Sequence, residues 1–183
     1  MEAYFRNLGI FIHKFAEVET WLLMAVAKQA DIKPPLSQAI FVGVRVATAK
    51  DMINRMREAQ GIPENAILKR AFAQLTEITN VRNDIVHYGA RFRGEWEPHV
   101  SNALAAMPGK ERSTIATPEL LWQMINDLQT ILTAITHVLF DFVSDAEPAE
   151  RPWRYKPALQ AHIGQLNQRK NPKPKRPPPP SKA

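Results

Sequence analysis

Apolar residues recur at the three-and-four spacing of helices in four long stretches of this chain, and the breaks between the stretches carry turn residues. Residues 4 to 30 place Leu8, Phe11, Ile12, Phe15, Val18, Leu22, Ala25 and Val26 on one side of a helical net, which predicts a long first helix with one core-facing stripe. Asp31 to Pro35 interrupts that pattern. From Leu36 to Ala59, Ile40, Phe41, Val44, Ala47, Met52, Ile53 and Met56 lie nearly all round the axis, so the second helix is expected to be largely buried. Gly61-Ile62-Pro63 turns the chain into a third helix from about Glu64 to His87. A fourth opens at Thr117-Pro118-Glu119, where a capping hydroxyl, a first-turn proline and an acid suit a helix N-terminus, and runs to near Ser144. Its stripe of Leu121, Ile125, Leu128, Leu132, Ile135, Leu139 and Phe142 is the cleanest period in the sequence. The expected fold class is therefore all-α, a four-helix bundle around one core.

Two stretches do not fit the helical pattern. Residues 90 to 116 are too long for a structureless connection inside a compact domain, which predicts a hairpin or a lid between the third and fourth helices. With Arg91, Arg93, Trp96 and His99 it could act as a flap over a polyanion, or simply cover the bundle end. From Pro148 onward nine prolines alternate with Lys and Arg, predicting a helical domain over 1–147 and a largely disordered, basic, proline-rich tail over 148–183. Trp153 and Tyr155 are candidates to fasten the start of the tail to the body, and Ala158 to Leu166 could form a short helix.

Charge sharpens this division. The net +6 comes from a tail with nine Lys/Arg and one acid, while residues 1 to 147 hold fifteen Lys/Arg and seventeen acids. Basicity belongs to the tail, so attraction to phosphate backbones is argued from the tail and not from the folded surface. With no cysteine, disulfides, thiol nucleophiles and thiolate zinc sites are excluded. No stretch reaches the roughly 20 apolar residues that cross a bilayer, and the N-terminus lacks a secretory pattern. A cytoplasmic location without a membrane partner is expected.

The candidate chemistry lies at the end of the third helix, in Ile78-Thr-Asn-Val-Arg82-Asn83-Asp84-Ile-Val-His87-Tyr88-Gly89. At 100° per residue, Arg82 falls within the stripe of Leu68, Ala71, Leu75, Ile78, Ile85 and Val86, so a cation points where apolar side chains should be. His87 stands roughly 140° around the axis from Arg82, and the two serve one site only if the helix ends there or a second copy contributes. Glu19 on the first helix and Asp51 on the second are expected to face inward, and either could hold Arg82 in an internal ion pair.

Arg82-Asn83-Asp84-Ile85-Val86-His87 resembles the motif of the HEPN superfamily, an arginine followed after four to six residues by a histidine. The setting is similar too, over roughly residues 4 to 144: the motif sits late in a helix before the last long helix, and an early helix carries a carboxylate in Phe15-Ala-Glu-Val-Glu19. The resemblance implies a homodimer in which two motifs meet to form a metal-independent endoribonuclease of toxin–antitoxin or phage-defence type. RNA would then be the substrate, an antitoxin or defence-system protein the partner, and no cofactor would be needed. His87 would be the acid/base and Arg82 the phosphorane stabiliser. Asn83, Asp84, Tyr88, Glu19, Asp51, Arg91 and Arg93 would bind RNA or support the site. In the branch whose antitoxin is a nucleotidyltransferase, a tyrosine follows the histidine after one intervening residue, whereas Tyr88 follows directly. The alternative expectation is a catalytically inactive HEPN-like adaptor whose Arg82 is a structural ion pair.

The chemistry suits these residue types. RNA supplies its own nucleophile, the 2′-hydroxyl, so cleavage needs a proton carrier of near-neutral pKa and a cation beside the phosphate. No pair among His13, His99, His137 and His162 has the spacing of a metal site, and no metal is expected. Gly-rich phosphate loops and serine nucleophile motifs are absent from the sequence.

Overall fold

The computed structural model describes residues 1–93, 97–101, 113–142 and 152–156. Within them the chain forms five helices and a three-stranded antiparallel sheet: α1 (Glu2–Gln29), α2 (Leu36–Phe41), α3 (Val46–Ala59), α4 (Ala66–Tyr88), β1 (Ala90–Arg93), β2 (Glu97–Ser101), β3 (Ser113–Ile115) and α5 (Pro118–Phe140). The fold is mostly helical, with the sheet where a hairpin or lid was expected.

The helices α1 and α5 form the largest packed pair, and α4 lies against α5 while α3 lies against α1. Their stripes supply the core: Phe11, Phe15, Val18 and Leu22 from α1, Leu75 and Ile78 from α4, and Leu121, Leu128, Ile131 and Ile135 from α5 are all fully buried. Each such side chain contributes about 1.5–3 kcal/mol through removal from water, and this sum holds the bundle together. The helix starts follow the capping signals. The Asn65 side chain accepts a hydrogen bond from the Leu68 N–H at 3.0 Å, and Thr117 Oγ1 accepts one from Leu120 N–H at 3.1 Å. The last helix stops at Asp141, whose left-handed backbone (φ 57°) closes it slightly before the expected Ser144.

The expected second helix over 36–59 is two helices. Gly43, at φ +76°, lets the chain break between Phe41 and Val46. Its expected burial holds only in part: Phe41 and Ile53 are buried and Val44, Met52 and Met56 half-buried, but Ile40 on α2 and Ala47 and Asp51 on α3 are exposed. The buried side is Val46, Ala49, Lys50 and Ile53, where α3 packs chiefly against α1 and more lightly against α4.

Gly89 sets the geometry of the motif end. Its φ of +65° is open to glycine at little cost, and its N–H still bonds Ile85 O at 2.9 Å, so α4 closes and passes directly into β1. Ala90 pairs with Val100, Arg91 with His99 and Phe92 with Pro98, and His99 pairs onward with Ile115 of β3. The inner face of the sheet rests on the start of α1, where Phe92 meets Tyr4 edge-on at 5.5 Å between ring centres.

The fastening expected of Trp153 and Tyr155 is present. Asp127, at 2% exposure on α5, accepts hydrogen bonds from Arg154 N–H (3.0 Å), Tyr155 N–H (2.9 Å) and the Gln74 side-chain amide (2.9 Å). The same amide donates to Tyr155 O at 2.9 Å, and the Tyr155 ring is buried. The packed body therefore extends beyond residue 147 to include 152–156. The rest of the tail, the Ala158–Leu166 helix and Trp96 lie outside the described residues.

Candidate functional site

The motif occupies the last turn and a half of α4, and three things happen there. First, Arg82 leans inward. Its guanidinium carbon lies 5.2 Å from the centre of the Phe15 ring, a cation–π contact with α1, and its Nε is buried without a hydrogen-bond partner. No ion pair joins it to Glu19 or Asp51 among the described residues. The expected internal pair is thus not formed: Glu19 is half-buried one turn beyond Phe15, and Asp51 is exposed on α3.

Second, Asn83 carries the link outward. Arg82 Nη1 donates to Asn83 Oδ1 at 3.2 Å, and Asn83 lies one turn before His87, about 40° away around the helix. Arg82 and His87 do not touch within one chain, yet Asn83 sits between the inward cation and the outward imidazole. Asp84 is buried about 60° around the helix from His87, and its charge, after burial itself and Glu77, helps push the Tyr155 hydroxyl up to about 12.

Third, the surface beyond Asn83 is open and apolar. His87 is exposed beside Tyr88, with ring centres 6.3 Å apart, and Val86 is 52% exposed although it lies on the expected core stripe. Ile85, its neighbour on the stripe, is by contrast buried in the core. Arg91 is exposed on β1 opposite His99, close after the motif in the chain, while Arg93 takes the last β1 position opposite Glu97. No cluster of three or more His, Asp or Glu suited to a metal ion occurs among the described residues, and none of their helices is long and apolar enough to cross a membrane.

Sequence periodicity could have exposed further polar residues on buried stripes. Lys50 falls between Val46 and Ile53 on the inner side of α3, Gln74 between Ala71 and Ile78, and Asp127 between Met124 and Ile131, all at three-or-four spacing. Each is buried. The signal is the one that singled out Arg82, a polar residue in register with an apolar stripe. No protein-family model, curated protein or solved structure matches this chain.

Proposed function

We propose that the chain is a metal-independent endoribonuclease of HEPN type, acting as a homodimer in which the α4 ends of two copies meet. The observation that carries this reading is Arg82 itself: a half-buried guanidinium without a counter-ion among the described residues, connected through Asn83 to the face that presents His87. A structural arginine at this depth is normally ion-paired, since an isolated charge is expensive to withdraw from water. An arginine held over an aromatic ring with donors unused is instead ready for an anion arriving from outside. The uncovered Val86 and Tyr88 around His87 suit burial against a second copy, which would place its own Arg82 within reach.

In such a dimer His87 takes the proton from the RNA 2′-hydroxyl as O2′ forms its bond to phosphorus. Arg82 stabilises the negative charge that builds on the equatorial oxygens, with Asn83 holding the guanidinium in place. The phosphorus–O5′ bond then breaks, a proton is returned to O5′, and the products are a 2′,3′-cyclic phosphate and a 5′-hydroxyl. Arg91 is placed to bind a flanking phosphate. The adaptor reading expects an ion pair from Arg82 to Glu19 or Asp51, and Arg82 forms neither pair. A defence-type or antitoxin-controlled setting remains the partner class that accompanies this activity.

The test is incubation of wild type and His87→Ala with mixed RNA in EDTA, with fragment ends analysed for cyclic phosphate. Wild type alone is expected to cleave. Cleavage retained by His87→Ala at an unchanged rate would overturn the assignment.

A further inference from the structure

Along the first half of α4, away from its motif end, α3 and α4 enclose an open cleft of about 680 Å³, within the range of small-ligand pockets. Its inner wall carries Lys50, only 9% exposed. The ammonium donates to Phe72 O at 3.1 Å and to Thr76 Oγ1, both neutral oxygens. It forms no ion pair among the described residues, and its third N–H has no partner there. Burial lowers its pKa from the ordinary lysine value, partly offset by the field of Asp51.

The charges around the cleft are sorted by depth. Asp51, Glu58 and Glu64 are exposed at the rim, and Glu64 is already paired with Lys69 at 3.0 Å. Lys50, Asn54 and Arg57 follow one another on successive turns of α3, the first buried and the last half-buried. Among the described residues Arg57 meets Pro63 O at 3.5 Å, a long contact that leaves most of its donors for other groups. Ile62, Leu68 and Phe72 line the cleft beside them.

A buried cation that faces a cleft and lacks a counter-ion is balanced most simply by an anion that enters the cleft. We infer that the α3–α4 cleft binds a small oxyanion, a phosphate or carboxylate group, through Lys50 and Arg57, with an apolar portion of the ligand against Ile62, Leu68 and Phe72. This site is separate from the motif end of α4 and does not depend on the ribonuclease reading.

The test is thermal melting of the full chain as wild type, Lys50→Met and Lys50→Arg, in phosphate, in acetate and in chloride at equal ionic strength. The wild type should melt about 2–4 °C higher in phosphate or in acetate than in chloride. The arm that gives the shift identifies the oxyanion. Lys50→Met should lose the shift while melting no lower than wild type in chloride, since it removes an unbalanced charge and keeps the apolar stem. Lys50→Arg should retain part of the shift. An equal shift in wild type and Lys50→Met would place anion binding elsewhere and overturn the inference. Absence of any shift, together with a lower melting point for Lys50→Met in chloride, would make Lys50 a structural pin between α3 and α4 and would also overturn it.

Discussion

Two polar groups buried against α4 have opposite fates. Asp127 is enclosed on α5, and three N–H donors converge on it from Gln74, Arg154 and Tyr155. Arg82, two turns farther along α4 from Gln74, has one hydrogen bond to its neighbour Asn83, a ring beneath it, and an Nε with nothing to bond. A buried charge whose partners are all supplied by its own chain is finished as structure. One whose partners are missing, next to an open surface, is placed for something that comes from outside. If the proposed function holds, what separates a stabilising from a functional polar group on this helix is completeness of hydrogen bonding, more than depth of burial.

The sharpest way to break that comparison is at the reactive end. His87→Ala should reduce cleavage of RNA by about 10²–10⁴-fold, the usual size of a lost general acid/base, with an unchanged melting temperature because the ring is exposed. A comparable rate with an intact fold would mean that the open end is not catalytic. Arg82→Gln should reduce cleavage by about 10²–10³-fold, the scale of a lost oxyanion donor. Its cost in stability, read by urea unfolding, should stay below about 1 kcal/mol, since only a cation–π contact and one side-chain hydrogen bond disappear.

At the completed end the order reverses. Asp127→Ala should destabilise the fold by about 3 kcal/mol, because it leaves buried backbone donors of Arg154 and Tyr155 unpaired. Truncation after residue 147 should cost a similar amount, since it removes the same donors together with the Tyr155 ring. An intrinsic cleavage rate unaffected by Asp127→Ala, measured where both proteins are folded, would confirm that the clasp serves stability alone. Near-equal stability losses for Arg82→Gln and Asp127→Ala would erase the contrast.

A smaller effect concerns pH. The Tyr155 hydroxyl titrates near 10 when unfolded and is held up to about 12 in the fold by burial, then Glu77, then Asp84. The folded state binds this proton more tightly, so the contribution is fully present below pH 10 and is lost as pH rises from 10 through 12. Lys50, with its lowered pKa, works in the opposite direction as pH approaches its ordinary value. Melting curves of wild type and Tyr155→Phe between pH 9 and 12 separate the two: the substitution should flatten the alkaline decline and leave neutral stability nearly unchanged.

Helix existence was legible because periodicity and capping are local. The stripe from Phe11 to Val26 and the Thr117-Pro118 start appear in the structure where the sequence places them. The same reading correctly set Arg82 on the inner side of α4 and anticipated that Trp153 and Tyr155 would hold the start of the tail. It misjudged 36–59, where apolar residues all round the axis implied burial but the neighbours cover only one side. It also turned Asp51 inward and overlooked Lys50, which occupies the face that α1 and α4 in fact cover.

The sequence by itself determined which stretches are mainly helical, where the last helix begins, that net positive charge lies after residue 147, and which helix end carries the arginine and histidine. Tertiary structure alone decided whether those polar residues are partnered. The reason is physical: a helix stripe depends on residues three and four positions apart, whereas the hydrogen bonds of Asp127, the ring under Arg82 and the cleft beside Lys50 are made by segments distant in the chain. No local pattern fixes which donor meets which acceptor across that distance, and only packing brings Phe15 beneath Arg82 and Tyr155 onto Asp127.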